Sequence, residues 1–250
     1  MKVLRSLVII TKNAGATLDR VLGSVKDIVD EIVVVDDRST DNTLLIAKAY
    51  GAKVFKHHEY DLGKQRLYAM KKAKGKWILV LDADEWLTKE LKKEIATLLH
   101  CSIVKYDGFY IPFQTHFLGK PLRYGGENYK KLILFRKDSV MIKPALVHEK
   151  YELIKGKTGY LKHRAYHYSY QSITEMFKIF TDYAIRDAEQ KIKNGEKSSF
   201  KKIFIYPIHM FWARFINDKG YKDGLRRLPL DIGFAYMEFL TYLLLLFMTI

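Results

Sequence analysis

The first hundred residues alternate short apolar runs with segments that are apolar at helical spacing, and this alternation restricts the fold more than any other feature. Ser6–Thr11 reads as a buried strand, and Leu18, Val21, Leu22, Val25 and Ile28 follow at helical spacing. Glu31–Val35 is a second strand, and the Ser39-Thr40-Asp41 cluster caps a helix that Gly51 closes. Lys53–Lys56 is a third strand, a helix runs from Gly63 to Lys74, and Gly75 precedes a fourth strand at Trp77–Leu81. Thr88 caps a further helix with Leu91, Ile95, Leu98 and Leu99 as its apolar stripe. Crossovers of this length bury their helices on a parallel, doubly wound sheet, so the class is α/β. No GxGxxG follows the first strand, which argues against a dinucleotide fold of the dehydrogenase type.

Two of these strands run straight into carboxylates. Val35 leads to Asp36-Asp37, and Leu81 leads to Asp82-Ala83-Asp84-Glu85. Open α/β sheets bind ligands beyond the carboxyl ends of their strands. Asp82 and Asp84 are two residues apart and point to the same side of an extended chain. Two hard oxygen donors so placed suit Mg²⁺ or Mn²⁺ shared with substrate phosphates. An acidic strand end leading to a helix cap is the plainer alternative.

From Gly108 the pattern changes. Phe109–Gln114 and Leu132–Arg136 read as strands, Val147-His148-Glu149 and Tyr166-His167-Tyr168 as short strands or turns, and together they complete a mixed sheet. A helix starts at Ser172, with Ile173, Met176, Phe177, Phe180, Tyr183 and Ala184 on one face. Phe200, Ile203, Phe204, Ile208, Phe211, Trp212 and Phe215 form an aromatic stripe that Pro207 should kink or interrupt. Ile232–Ile250 carries one charge, Glu238, over a length at the lower range for a membrane span. The expected organisation is a catalytic domain over 1–195, with a nucleotide-binding half 1–100 and an acceptor half 101–195, then a membrane-associating helical segment over 196–250. An in-plane helix is favoured over a true span, because Glu238 sits inside the segment.

The formal charge of +15, from 43 Lys+Arg against 28 Asp+Glu, calls for an anionic partner: nucleic acid, an acidic membrane surface or a phosphorylated substrate. No zinc-finger spacing or aromatic RNA-binding signature is visible, so nucleic acid is not expected. The single cysteine, Cys101, rules out an internal disulfide and fits a reducing compartment. The start of the chain turns polar too soon for a signal peptide.

Taken together, Thr11-Lys12-Asn13, Val35-Asp36-Asp37, Gly63-Lys64-Gln65-Arg66 and Leu81-Asp82-Ala83-Asp84-Glu85 resemble the family 2 nucleotide-sugar glycosyltransferases of GT-A fold. Bacterial lipopolysaccharide-core glucosyltransferases are the nearest likeness. Tyr110-Ile111-Pro112, Leu134-Phe135-Arg136, Val147-His148-Glu149-Lys150, His167-Tyr168-Ser169-Tyr170, Lys219-Gly220-Tyr221 and Asp223-Gly224 extend it to about residues 5–230. The resemblance implies a UDP-sugar donor, a glycolipid or glycan acceptor and Mg²⁺ or Mn²⁺, at the cytoplasmic face of the cell membrane. It implies that Asp37 accepts from the uracil, with Thr11 and Asn13 in the same pocket. Asp82 would hold the ribose, and Asp84 the metal with His167. Lys64 and Arg66 would lie near the diphosphate, Gly125 and Gly126 beside the donor sugar, and Glu149 would be the base of an inverting reaction.

Plainer roles stand beside several of these: an exposed helix face for Lys64 and Arg66, a cap for Asp41, a turn for Gly125-Gly126, a core histidine for His167 and a surface ion pair for Glu149. Tyr124–Tyr129 departs from the family's usual Trp-Tyr-Pro-Asp run, which leaves the sugar and acceptor preference open. The competing functions are a polyprenyl-phosphate glycosyltransferase, whose ionised acceptor needs no base, and a non-enzymatic basic protein bound to membranes. Retention of Asp37, Asp82, Asp84 and Glu149 favours an enzyme.

Overall fold

β-Branched residues fill the centre of the sheet, because only a strand buried on both faces tolerates such unbroken apolar runs. The computed structural model describes residues 5–100, 105–143, 146 and 150–248. Its first elements are β1 (Arg5–Thr11), α1 (Leu18–Val25), β2 (Glu31–Asp36), α2 (Thr43–Ala49), β3 (Lys53–Lys56), α3 (Leu62–Lys72), β4 (Trp77–Val80), β5 (Glu85–Leu87) and α4 (Lys89–His100). Next come β6 (Gly108–Phe117), β7 (Lys120–Pro121), β8 (Lys130–Arg136), β9 (Val140–Lys143), β10 (Lys150–Leu153), β11 (Thr158–Tyr160) and β12 (Ala165–Tyr170). Three long helices end the chain: α5 (Ile173–Lys193), α6 (Phe200–Trp212) and α7 (Arg227–Met248). The strand or turn expected at Val147–Glu149 lies outside the described residues.

The large sheet has the order β3-β2-β1-β4-β8-β6-β12-β5. Its first four strands are parallel, as the alternation predicts, and β8 then pairs antiparallel with both β4 and β6. Thr11 lies opposite Asp36 and Val8 opposite Val80, so β1, β2 and β4 end along one edge. Thr88 caps α4 as expected, and Ser172 caps α5. Leu91 N–H donates to Thr88 Oγ1 (3.2 Å), and Glu175 N–H donates to Ser172 Oγ (3.1 Å).

By compactness the chain divides into Met1–Phe113 with Lys130–His167, and Gln114–Tyr129 with Tyr168–Ile250. This division does not follow the expected boundary at residue 195: α5, α6, α7 and the 114–129 segment belong together. In this second unit α7 packs against α5 and α6. Gly233 permits the close approach to α5, because a β-carbon there would lie 2.8 Å from atoms of both Met176 and Phe180. Pro207 does not interrupt α6. It is buried within the helix, and the irregularity comes later, as a π-helical turn at Ala213–Asn217.

An ion network centred on fully buried Arg227 and Asp231 joins the start of α7 to the 124–127 loop. Arg227 Nε donates to both oxygens of Asp231 (2.9 Å each), and its terminal nitrogens reach Tyr124 O (3.2 Å), Gly125 O (2.9 Å) and Glu127 Oε1 (3.2 Å). Arg214 completes it on Glu127 and Asp231. Gly125 has φ +73 and lies directly against the Arg227 guanidinium, a conformation and a space that suit glycine alone.

Candidate active site

Strand ends supply the site because parallel pairing delivers them to one edge, where backbone groups no longer bond within the sheet. There the 11–15 and 36–43 loops are laced together. Thr11 Oγ1 donates to Asp36 Oδ1 (3.1 Å), Thr40 N–H to Asn13 Oδ1 (2.8 Å) and Gly15 N–H to Asp41 Oδ2 (2.8 Å). Asp41 also caps α2 by accepting from Thr43 N–H (3.0 Å). Thr11 and Asn13, expected in the base pocket, thus hold the loop beside Asp37. Asp37 accepts from His58 (2.7 Å), with Lys12 and Arg38 each at 3.3 Å. Burial raises its pKa, but His58 and Lys12 outweigh that, and the carboxylate stays below its usual range.

The Asp82–Glu85 turn closes on itself. Asp82 N–H donates to Glu85 Oε2 (3.1 Å), and Glu85 N–H donates to Asp82 O (3.0 Å). Both oxygens of Asp82 carry cations: Arg66 on Oδ1 (2.5 Å) and Lys131 on Oδ2 (3.3 Å). Lys131 also donates to Glu85 Oε1 at 2.6 Å. Burial pushes the Asp82 pKa up, yet Arg66 and Lys131 overcome it and hold the group ionised far below the usual carboxylate range. Burial pushes the Glu85 carboxyl above its usual range, with Lys131 opposing.

Three-residue β5 pairs antiparallel with β12, setting His167 opposite Glu85. That register brings His167 Nε2 to 3.4 Å from Asp84 Oδ2. Burial disfavours the imidazolium, but Asp84 more than compensates, and the His167 pKa is raised. An oxygen and an imidazole nitrogen this close fit a shared divalent ion. Among the described residues no group of three His, Cys, Asp or Glu could ligate one.

The expected residues are thus distributed unevenly. Arg66, Asp82, Asp84 and His167 converge. Lys64 is exposed and donates its backbone N–H to Asp61 as part of the α3 cap. Arg66, expected near the diphosphate, is largely buried against Asp82. Gly125 and Gly126 form a left-handed turn in the second compact unit. Glu149 lies outside the described residues.

The family model for glycosyl transferase family 2 matches residues 6–146. The chain belongs to this family. It is 32% identical over 248 residues to an uncharacterised glycosyltransferase of Rickettsia felis, a match covering 94% of this chain and 87% of that one. A Rickettsia bellii glycosyltransferase is 31% identical over 248 residues, covering 94% and 83%. The crystal structure of Staphylococcus aureus TarS 1-349 with UDP-GlcNAc superposes with a TM-score of 0.52 at 18% identity, covering 89% of this chain and 76% of that chain. That likeness is one of fold. The chain is therefore a family 2 glycosyltransferase with a GT-A fold.

Within this family 2 enzyme, Lys131 and Glu85 are the residues that sequence reading missed. In the sequence Lys131 stands beside Lys130 as one of a basic pair. Alternation could not have found it, because the β6–β8 register shifts between Lys131 and Leu134, so Lys131 pairs with Ile111 and does not share a face with Phe135. Glu85 is 1% exposed, so its carboxylate depends on Lys131. Lys131→Met should lower stability by about 1–3 kcal/mol, the cost of a buried polar group that loses its partner. Urea unfolding checks this, and an unchanged midpoint would mean that Glu85 does not need the ammonium.

Proposed function

We propose that the enzyme is an inverting, metal-dependent transferase that moves a hexose, glucose, from its UDP conjugate to a glycolipid or lipopolysaccharide-core acceptor at the cytoplasmic face of the membrane. The observation that carries this reading is the Asp84–His167 pair, 3.4 Å apart beside the Arg66–Asp82–Lys131 cluster. Asp84 and His167 would hold Mg²⁺ or Mn²⁺. Once bound, the ion supplies Lewis-acid charge to the departing diphosphate. Asp37, at the end of β2, would accept from the base. The acceptor hydroxyl oxygen forms a bond to the anomeric carbon as the bond from that carbon to the β-phosphate oxygen breaks. UDP leaves, and the hydroxyl proton passes to a carboxylate. The family resemblance gives that role to Glu149.

TarS is a poly(ribitol-phosphate) β-N-acetylglucosaminyltransferase by name, and it shares 37% identity with this chain over 75 residues. The donor test therefore sets UDP-glucose against UDP-GlcNAc in thermal unfolding, with and without Mn²⁺. A ligand at a hundred times its Kd stabilises the fold by about 2.7 kcal/mol. Mn²⁺-dependent stabilisation by UDP-glucose above UDP-GlcNAc is expected. No stabilisation by any UDP-sugar would overturn the proposal, and a preference for UDP-GlcNAc would overturn the choice of glucose.

Glu149→Gln should leave UDP-sugar affinity near normal and slow transfer by on the order of a hundredfold or more, the scale of general-base catalysis. The loss should fall on kcat, because the proton moves only in the transition state. Titration calorimetry with single-turnover assays measures both. Unchanged transfer would remove Glu149 as base and favour an acceptor that is already ionised.

A further inference from the structure

Two features of the second compact unit both suggest a membrane, and they are not equivalent. α7 is the one described helix long and apolar enough to cross a bilayer. Its surroundings argue against crossing. Arg227 and Asp231 in its first turns are 0% exposed and bonded to each other, and Arg227 also holds the 124–127 loop. Towards its other end the Tyr242 carbonyl accepts from Ser198 Oγ (2.6 Å), and the Tyr242 hydroxyl lies 3.2 Å from Glu196 Oε1. Gly233 seats the helix on α5. Insertion would strip these groups of their partners in a medium that offers none.

α6 is arranged differently. Ile203 and Pro207 face inward, and Ile203 packs with Tyr242 and Leu245. Phe200 (78% exposed), Phe204 (56%), Ile208 (69%) and Trp212 (55%) recur every fourth residue and so form one line along the outer face. Ile205 and Ile216 widen that line. Contiguous exposed apolar surface of this kind marks an interaction site. The sequence from Phe200 to Asn217 contains no acidic residue, and Lys197, Lys201 and Lys219 are exposed at its two ends, with Asp218 exposed beside Lys219. An apolar strip bounded by cations complements an interface of acyl chains beneath anionic headgroups.

We infer that α6 lies in the plane of an anionic bilayer surface with Phe200, Phe204, Ile208 and Trp212 inserted, while α7 stays inside the protein as the strut behind it. The inference rests on the membrane-borne acceptor proposed above and names the surface that would bring the enzyme to it.

The test is flotation of the full chain with vesicles of phosphatidylcholine alone, and of phosphatidylcholine mixed with phosphatidylglycerol. Binding to the mixed vesicles is expected, weaker at high salt and released by an alkaline carbonate wash. Phe204→Glu combined with Ile208→Glu should reduce binding by about tenfold or more, since two inserted side chains become charges. Circular dichroism and Mn²⁺–UDP binding report that the variant still folds. A folded variant that floats like the parent would overturn the inference, and carbonate-resistant binding would make α7 a span. Loss in the variant of a dimer seen by light scattering, with no vesicle binding by the parent, would assign the face to a second copy of the chain. If the variant does not fold, brominated lipids applied to the parent decide. Trp212 is the exposed tryptophan of the three, so strong quenching supports insertion and its absence refutes it. UDP-sugar binding is measured without vesicles, so failure of the donor reading and failure of the docking surface are separable.

Discussion

Replacement of Asp84 by alanine is expected to abolish Mn²⁺-dependent UDP binding and, with it, transfer. Among the described residues two protein donors converge at this point, Asp84 Oδ2 and His167 Nε2, 3.4 Å apart. Removing the carboxylate leaves a single imidazole, a poor site for a hard cation. Loss of a supporting residue around a metal already costs 10- to 100-fold in affinity or activity, so loss of a ligand should cost at least about a hundredfold. The turn itself should survive, because its two internal hydrogen bonds run between Asp82 and Glu85. Calorimetric titration of UDP with and without Mn²⁺ makes the measurement. Metal-free protein offers a second readout. Asp84 raises the His167 pKa against burial, so the variant's imidazole should titrate at lower pH in NMR. Mn²⁺-dependent UDP binding at parental strength would move the metal site elsewhere.

Arg227→Met should produce the largest loss of stability. The guanidinium is completely buried and serves Asp231, Glu127 and two backbone carbonyls. Removing one partner from a buried ion pair costs about 3–5 kcal/mol, mostly because the remaining charge is stranded. Asp231 is 0% exposed and would keep only its longer contact with Arg214, at 3.4 Å. Arg214 also serves Glu127, and burial together with the neighbouring Arg227 lowers its pKa to about 10. The double variant Arg227→Met with Asp231→Leu should recover part of the loss, because it removes the stranded charge together with its cation. Denaturant midpoints of the two singles and the double complete the cycle. Strict additivity would show that the pair is not coupled.

Glu127 is also resolved by this network. As a carboxylate near Gly125-Gly126, it is the obvious substitute base should Glu149 fail. Its engagement by Arg227 and Arg214 makes it a structural anchor. Sequence spacing could not show this, because Arg214 and Arg227 come from distant parts of the chain.

Local pattern alone determined the first half of the fold. β1, β2 and β4 are short apolar runs closed by polar residues, and α1 between them repeats at 3.6 residues, so burial has one solution. The same pattern placed Asp37, Asp82 and Asp84 at strand ends, because a buried run followed by carboxylates must leave the sheet there. Tertiary structure decided what pairing over distance decides. β5 is three residues long and becomes a strand only through β12, and that register brings His167 to Asp84. Lys131 looks like surface charge until β8 sets it against Glu85 and Asp82. In the C-terminal helices, hydropathy marks α7 as the apolar element, yet packing ties α7 to α5 and α6 and leaves the aromatic face of α6 exposed. Periodicity reports that a helix has an apolar face; only the neighbours that cover or fail to cover that face decide whether it meets protein or solvent.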